Sequence, residues 1–269
     1  EKKVDKIGSD VHKIIQLVAK EINLNIPKDK MPRVEINPGE SSSYSRRNNQ
    51  VNIAQEKIGD GESYAAEAGH FLRAYATKRL GTEIRDAKEA KVDEFFDRTA
   101  YIIARKKSRG DLAKLFDGKN HINYSTKEGR QKLAELGKRA RKLKKELENY
   151  DGIDKPFRKQ NVKGEKDHFK SHIAFAHADK YSADELLSVK GLYSLPDKEV
   201  EKMFFDRGKK LENITSAVSV GTFIASIIFL SPTLTGNSIA NLTTKTSSII
   251  GTGLFLIGLV GTYFWFKKK

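Results

Sequence analysis

Residues 59–79 read GDGESYAAEAGHFLRAYATKR. Gly59-Asp60-Gly61 opens as a turn and a cap, and a helix is predicted from about Glu62 to Arg79. Ala65, Ala68, Gly69, Phe71, Leu72 and Ala76 recur at helical spacing and give it an apolar inner face. Glu67 and His70 stand one turn apart on the same helix.

Upstream, Ser9-Asp10 precedes Val11, Ile14, Ile15, Val18 and Ile22, the pattern of a capped amphipathic helix ending near Asn23. Pro27 and Pro32 bracket a loop, and Arg33-Val34-Glu35-Ile36 then alternates as a strand does, ending in the turn Asn37-Pro38-Gly39. Ser43–Ser45 and Gln50–Ala54 read as two further short strands joined by Arg46–Asn49. Downstream, Val92, Phe95, Phe96, Ala100, Ile102 and Ile103 mark a helix from about Ile84 to Lys107. The fold class expected is α+β: a mostly helical soluble domain with a small antiparallel sheet, followed by a transmembrane helical hairpin.

A metallopeptidase helix grips zinc with two histidines one turn apart, and a glutamate beside the first serves as general base. Glu67 and His70 stand where the base and the second histidine belong, while Ala66 occupies the first position. Over residues 9–105 the chain resembles the zincin metallopeptidases, and more loosely the small gluzincin type. In that family a glutamate on the following helix completes the metal site. The run Glu89-Ala90-Lys91-Val92-Asp93-Glu94-Phe95-Phe96 matches it. The resemblance makes Glu89 the third ligand and Asp93 its acidic neighbour, with Glu94 the alternative if the register shifts. It implies zinc on His70 and Glu89, with Glu67 taking the proton from a bound water. Catalytic zinc takes three protein ligands as a rule, so Ala66 leaves the site one short. His168, His172 and His177 cluster near a later helix and are the other candidate ligands.

Two stretches, Ile214–Ser231 and Ser247–Phe266, are uncharged and apolar or small enough to cross a bilayer. Lys202, Arg207, Lys209 and Lys210 precede the first, and Lys267–Lys269 follow the second. By the positive-inside rule the large domain and both termini are cytoplasmic. Ala217, Gly221 and Ala225 recur every four residues, as in close helix packing. The chain is strongly basic, with a net charge of +15. Residues 127–147 concentrate that charge on a helix with Leu133, Leu136, Ala140, Leu143 and Leu147 in heptad spacing. That helix is expected to pack on its own domain, dock on a partner helix, or lie on anionic lipid heads.

Four segments follow: 1–107 as the zincin-like core, 108–165 as a basic helical insertion and linker (Tyr150–Lys166 being the linker), 166–212 as closing helices, and 213–269 as the hairpin. No cysteine is present, which removes thiolate chemistry. Phosphate-binding glycine loops and Gly-x-Ser-x-Gly are absent, and aromatics are not interleaved with the basic residues as nucleic-acid binding favours. Two functions are expected. The first is a membrane-anchored, catalytically impaired zincin-like module that binds or scaffolds a peptide or protein partner. The alternative is an active membrane-tethered metallopeptidase with an unusual metal site.

Overall fold

A computed structural model describes residues 2–117 and 121–205. The chain divides into two compact units, Glu1–Glu201 and Lys202–Lys269. The elements that bear on the site belong to the first. The expected membrane spans at 214–231 and 247–266 lie outside the described residues. Among the described residues no helix is long and apolar enough to cross a membrane.

Helix α1 spans Lys2–Glu21. It starts ahead of the expected cap at Ser9-Asp10 because its apolar face continues backward. Ile7, Val11, Ile14, Ile15 and Val18 are all buried. Gly8 adds to this, since a Cβ there would sit 3.8 Å from Val34 and in ordinary contact with the neighbouring strand.

Three strands follow where the alternation placed them: β1 Arg33–Asn37, β2 Ser43–Ser45 and β3 Gln50–Ala54. Their order is β1-β3-β2, with β1 parallel and β2 antiparallel to β3. The sheet is therefore mixed, where an antiparallel one was expected. The reason lies in residues 38–49. A connection of this length can carry the chain back to the start of a parallel neighbour, and β2 forms along the way as the outer edge. Val51, Ile53 and Ala54 of β3 are fully buried.

Helix α2 spans Gly61–Ala76 and is capped by the Asp60 side chain, which accepts from the Glu62 N–H over 3.2 Å. It stops short of Arg79 because Lys78 takes a left-handed backbone conformation, φ +56°. The Arg79 N–H then closes on the Ala74 carbonyl over 2.7 Å. Helix α3 spans Ala87–Lys107. Its cap is Asp86, whose carboxylate accepts from the Lys88 and Glu89 N–H groups. Phe71 and Leu72 of α2 meet Phe95, Phe96 and Ile103 of α3 in the core with the apolar faces of α1 and β3, and all five are fully buried.

A short helix α4 (Asp111–Lys114) precedes α5 (Lys127–Glu148) and α6 (Lys155–Ala178). The heptad stripe of α5 is spent on α6: a Cβ at Gly137 would approach the Phe169 ring to 2.9 Å. The linker expected over Tyr150–Lys166 is mostly helix. Pro156 falls in the first turn, where its missing N–H costs nothing. Gly164 is carried inside the helix at about 1 kcal/mol, which the packing of α6 on α3 and α5 offsets. Helices α7 (Ala183–Leu187) and α8 (Asp197–Val200) complete the unit against α3.

Candidate functional site

Glu89, Asp93 and Asp97 recur every four residues on α3, so they share one face of it. That face is turned inward, and the three are 3 %, 1 % and 3 % exposed. Opposite them α2 presents Glu67 and His70. The helices nearly touch at Gly69, where a Cβ would lie 2.5 Å from the Phe96 carbonyl oxygen and 2.7 Å from Asp97 Cα. Only glycine fits at that distance, and the approach brings the imidazole next door onto the carboxylates.

The Glu89 end of this ladder is caged by arginine. Arg46, in the turn after β2, donates to Glu89 over 2.6 Å and also pairs with Asp93. Arg79 donates to the same Glu89 oxygen over 3.0 Å. The other oxygen accepts from the Arg85 backbone N–H over 2.9 Å and from its side chain over 3.2 Å. Burial raises the Glu89 carboxyl, but the Arg85 N–H and the Arg46 and Arg85 side chains outweigh it and bring the pKa to about 2. Arg79 is itself held by Asp197, which also binds the buried Arg73 over 2.5 Å.

Among the described residues no arginine pairs with Asp97. His70 Nε2 lies 2.8 Å from Asp97 Oδ2, and Nδ1 lies 3.5 Å from Asp93 Oδ2. Burial works against the His70 charge, but Asp97 and Asp93 outweigh it and hold its pKa well above the ordinary value. Burial raises Asp97 well above the usual carboxylate range, with His70 pulling the other way. It also pushes Glu67 up to about 7 against the His70 charge. Glu67 Oε2, Asp93 Oδ1 and Asp97 Oδ1 are buried without a hydrogen-bond donor among the described residues. An unpaired buried acceptor of this kind costs about 1–3 kcal/mol. The Glu67 carboxyl, raised to about 7, offsets part of that cost by taking up a proton near neutral pH.

Two clefts flank the cluster. One, of about 490 Å³, runs under the edge strand β2 and is lined by Ser43–Arg47, Glu67, His70, Thr82–Ile84, Asp93 and Glu94. The other, of about 300 Å³, lies beside Ala66 and is lined by Glu67, Asp97, Arg98, Tyr101 and Phe175. Glu67 faces both.

The structure brings Glu67 and His70 to one side of Asp93 and Asp97. Glu89 is on the same helix face but turned into the arginines. Glu94 is half-buried at the rim of the first cleft. His168 and His172 face one another, Nε2 to Nε2, over 3.1 Å, and His172 also bonds the Tyr124 hydroxyl. Asp97 was within reach of sequence reasoning, since the four-residue spacing from Glu89 through Asp93 continues to it. Arg85 was within reach too, since it stands four residues before Glu89, whereas Arg46 and Arg79 carry no such signal and reach in from turns and connections.

The residues do not fit the zinc that the resemblance implies. A metal on His70 and Glu89 needs a free ring nitrogen and a free carboxylate oxygen. Both ring nitrogens face aspartates, and both Glu89 oxygens face donors from arginine. Among the described residues no group of three or more His, Asp or Glu side chains is arranged to hold a metal ion. Comparison of the chain with family models, with curated proteins and with solved structures gives no match.

Proposed function

We propose that the chain is a membrane-tethered binding module, built on a zincin-like core whose metal position has become an internal ion-pair lock. One observation carries this reading. The imidazole that should hold metal is committed to two aspartates, and the glutamate that should join it is committed to three arginines. Positive charge from His70 and Arg46 takes the place of the metal's charge among the buried carboxylates. Ala66 is consistent with that, since no second imidazole is needed.

In this reading the cleft under β2 holds an extended segment of a partner protein without cutting it. β2 is the outer strand of the sheet, so its free edge offers main-chain donors and acceptors to such a segment. Residues 214–231 and 247–266 anchor the module as two transmembrane helices, with the folded unit on the cytoplasmic side.

Metal analysis of the purified full chain tests the proposal. Dialysed against zinc, the protein should hold far less than one ion per chain, and a chelator should leave its thermal midpoint unchanged. One zinc per chain, lost in His70→Ala and accompanied by peptide cleavage that Glu67→Gln abolishes, would establish the metallopeptidase instead.

A further inference from the structure

The hairpin of α5 and α6 ends in a turn that pushes apolar side chains into solvent. Ile153 is fully exposed and Phe157 is 64 % exposed. A notch of about 270 Å³ between the two helices, lined in part by Leu143, Leu147 and Phe157, continues the apolar surface inward. Exposed apolar groups gathered at one point mark an interaction surface rather than a solvated tip.

The charges around this tip are sorted. Each nearby acid has a cation of its own: Glu146 with Lys142, Glu148 with Lys144, Asp151 with Lys155, Asp154 with Arg158, and Glu165 with Arg139. What remains is purely positive. Lys138, Arg141, Lys145, Lys159 and Lys163 are exposed, and no carboxylate among the described residues pairs with them. An apolar tip on a hairpin that carries surplus cations along both helices matches the boundary between acyl chains and anionic headgroups. A second copy fits poorly, because two such positively charged hairpins repel.

We infer that the tip dips into the headgroup layer of an anionic bilayer, with Ile153 and Phe157 inserted and the nearest surplus cations, Lys145 and Lys159, on the lipid heads. The inference rests on the tethered reading above only in that a tether keeps a bilayer within reach. Of the heptad positions only Leu143 and Leu147 line the notch.

The chain has no cysteine, so Ile153→Cys carries one environment-sensitive fluorophore at a unique site. Lys88→Cys, exposed at the start of α3, is the control. The full chain is reconstituted into phosphatidylcholine vesicles with and without phosphatidylserine. The label at 153 should shift to the blue and be quenched by acyl-chain spin labels on the anionic vesicles, while the label at 88 does neither. Each cation near an anionic surface strengthens association about fivefold. Lys145→Gln with Lys159→Gln should therefore lower the inserted-to-free ratio about 25-fold. Flotation separates the two readings. Protein that floats on every vesicle while its label at 153 stays in water overturns the insertion and leaves the tether standing. Protein that floats only on anionic vesicles, with the label inserted, supports the tip and overturns the tether. Protein that never floats overturns both. A blue shift in detergent alone that grows with protein concentration assigns the tip to a second copy and overturns the lipid assignment.

Discussion

Glu89 and Asp97 lie two turns apart on one face of α3 and are equally buried, at 3 % exposed each, yet their carboxyls move in opposite directions. Glu89 is drawn down to about 2 among arginines, while Asp97 is driven well above its usual range with one imidazole beside it. The residue types differ by one methylene; Asp97 is raised first by burial with one imidazole against it, while Glu89 meets the guanidinium groups of three arginines, which outweigh burial. Guanidinium forks keep a buried carboxylate ionised. A single histidine shared between Asp93 and Asp97 leaves a surplus of negative charge, which protons relieve. A buried acidic face can therefore be stable without metal when one end is clamped by arginines and the other is shared with a histidine.

Removing Arg46 should break the comparison most severely. It serves both Glu89 and Asp93, and taking one partner from a buried ion pair costs about 3–5 kcal/mol. Arg46→Ala should lose that much in denaturant unfolding. A much smaller loss would mean that Arg79 and Arg85 hold the clamp alone.

Glu67→Gln should stabilise the fold, and the sign follows from linkage. The Glu67 carboxyl has a folded pKa of about 7, above its ordinary 4.5. The folded state therefore binds the extra proton, and stability falls as pH rises from the lower value through the upper one. The substitution removes that loss. Its gain should be small at pH 5 and reach about 2–3 kcal/mol at pH 8. Equal gains at both pH values would place Glu67 outside the protonated end.

Gly69→Ala probes the contact that holds the two helices at this end. A Cβ there meets the Phe96 carbonyl oxygen at 2.5 Å, and α3 must move away. Overpacking of this kind costs about 1–3 kcal/mol. The His70 pKa should fall along with stability as Asp97 withdraws. The smallest effect belongs to Arg85→Ala. Its side chain is 70 % exposed, so its pair with Glu89 is solvent-screened and worth less than about 1 kcal/mol. The contrast between Arg85 and Arg46 on the same carboxylate separates clamp from ornament.

Much of this arrangement was legible in the sequence. The strands at 33–37, 43–45 and 50–54 show in their alternation, and the Asp60 cap and the apolar spacing of α2 set Glu67 and His70 on a helix. The direction of β1 relative to β3 was not legible, because local turn signals at Asn37-Pro38-Gly39 and Arg46–Asn49 suggest hairpins while the actual pairing skips a strand. Pro156 and Gly164 read as loop residues, and tertiary packing made them helix. In the site, resemblance pointed to Glu89 as a ligand. Of its true partners only Arg85, four residues before it, follows the helical spacing; Arg46 and Arg79 lie in turns that no periodicity ties to α3.

The protonation of His70 is where the account is most exposed. Ring-nitrogen NMR shifts of the full chain, recorded across neutral pH with and without zinc, read it directly. An imidazolium with both nitrogens protonated past pH 7, unmoved by zinc, is the result expected. A neutral ring that titrates near its ordinary value and shifts one nitrogen when zinc is added would contradict the lock and restore the metal.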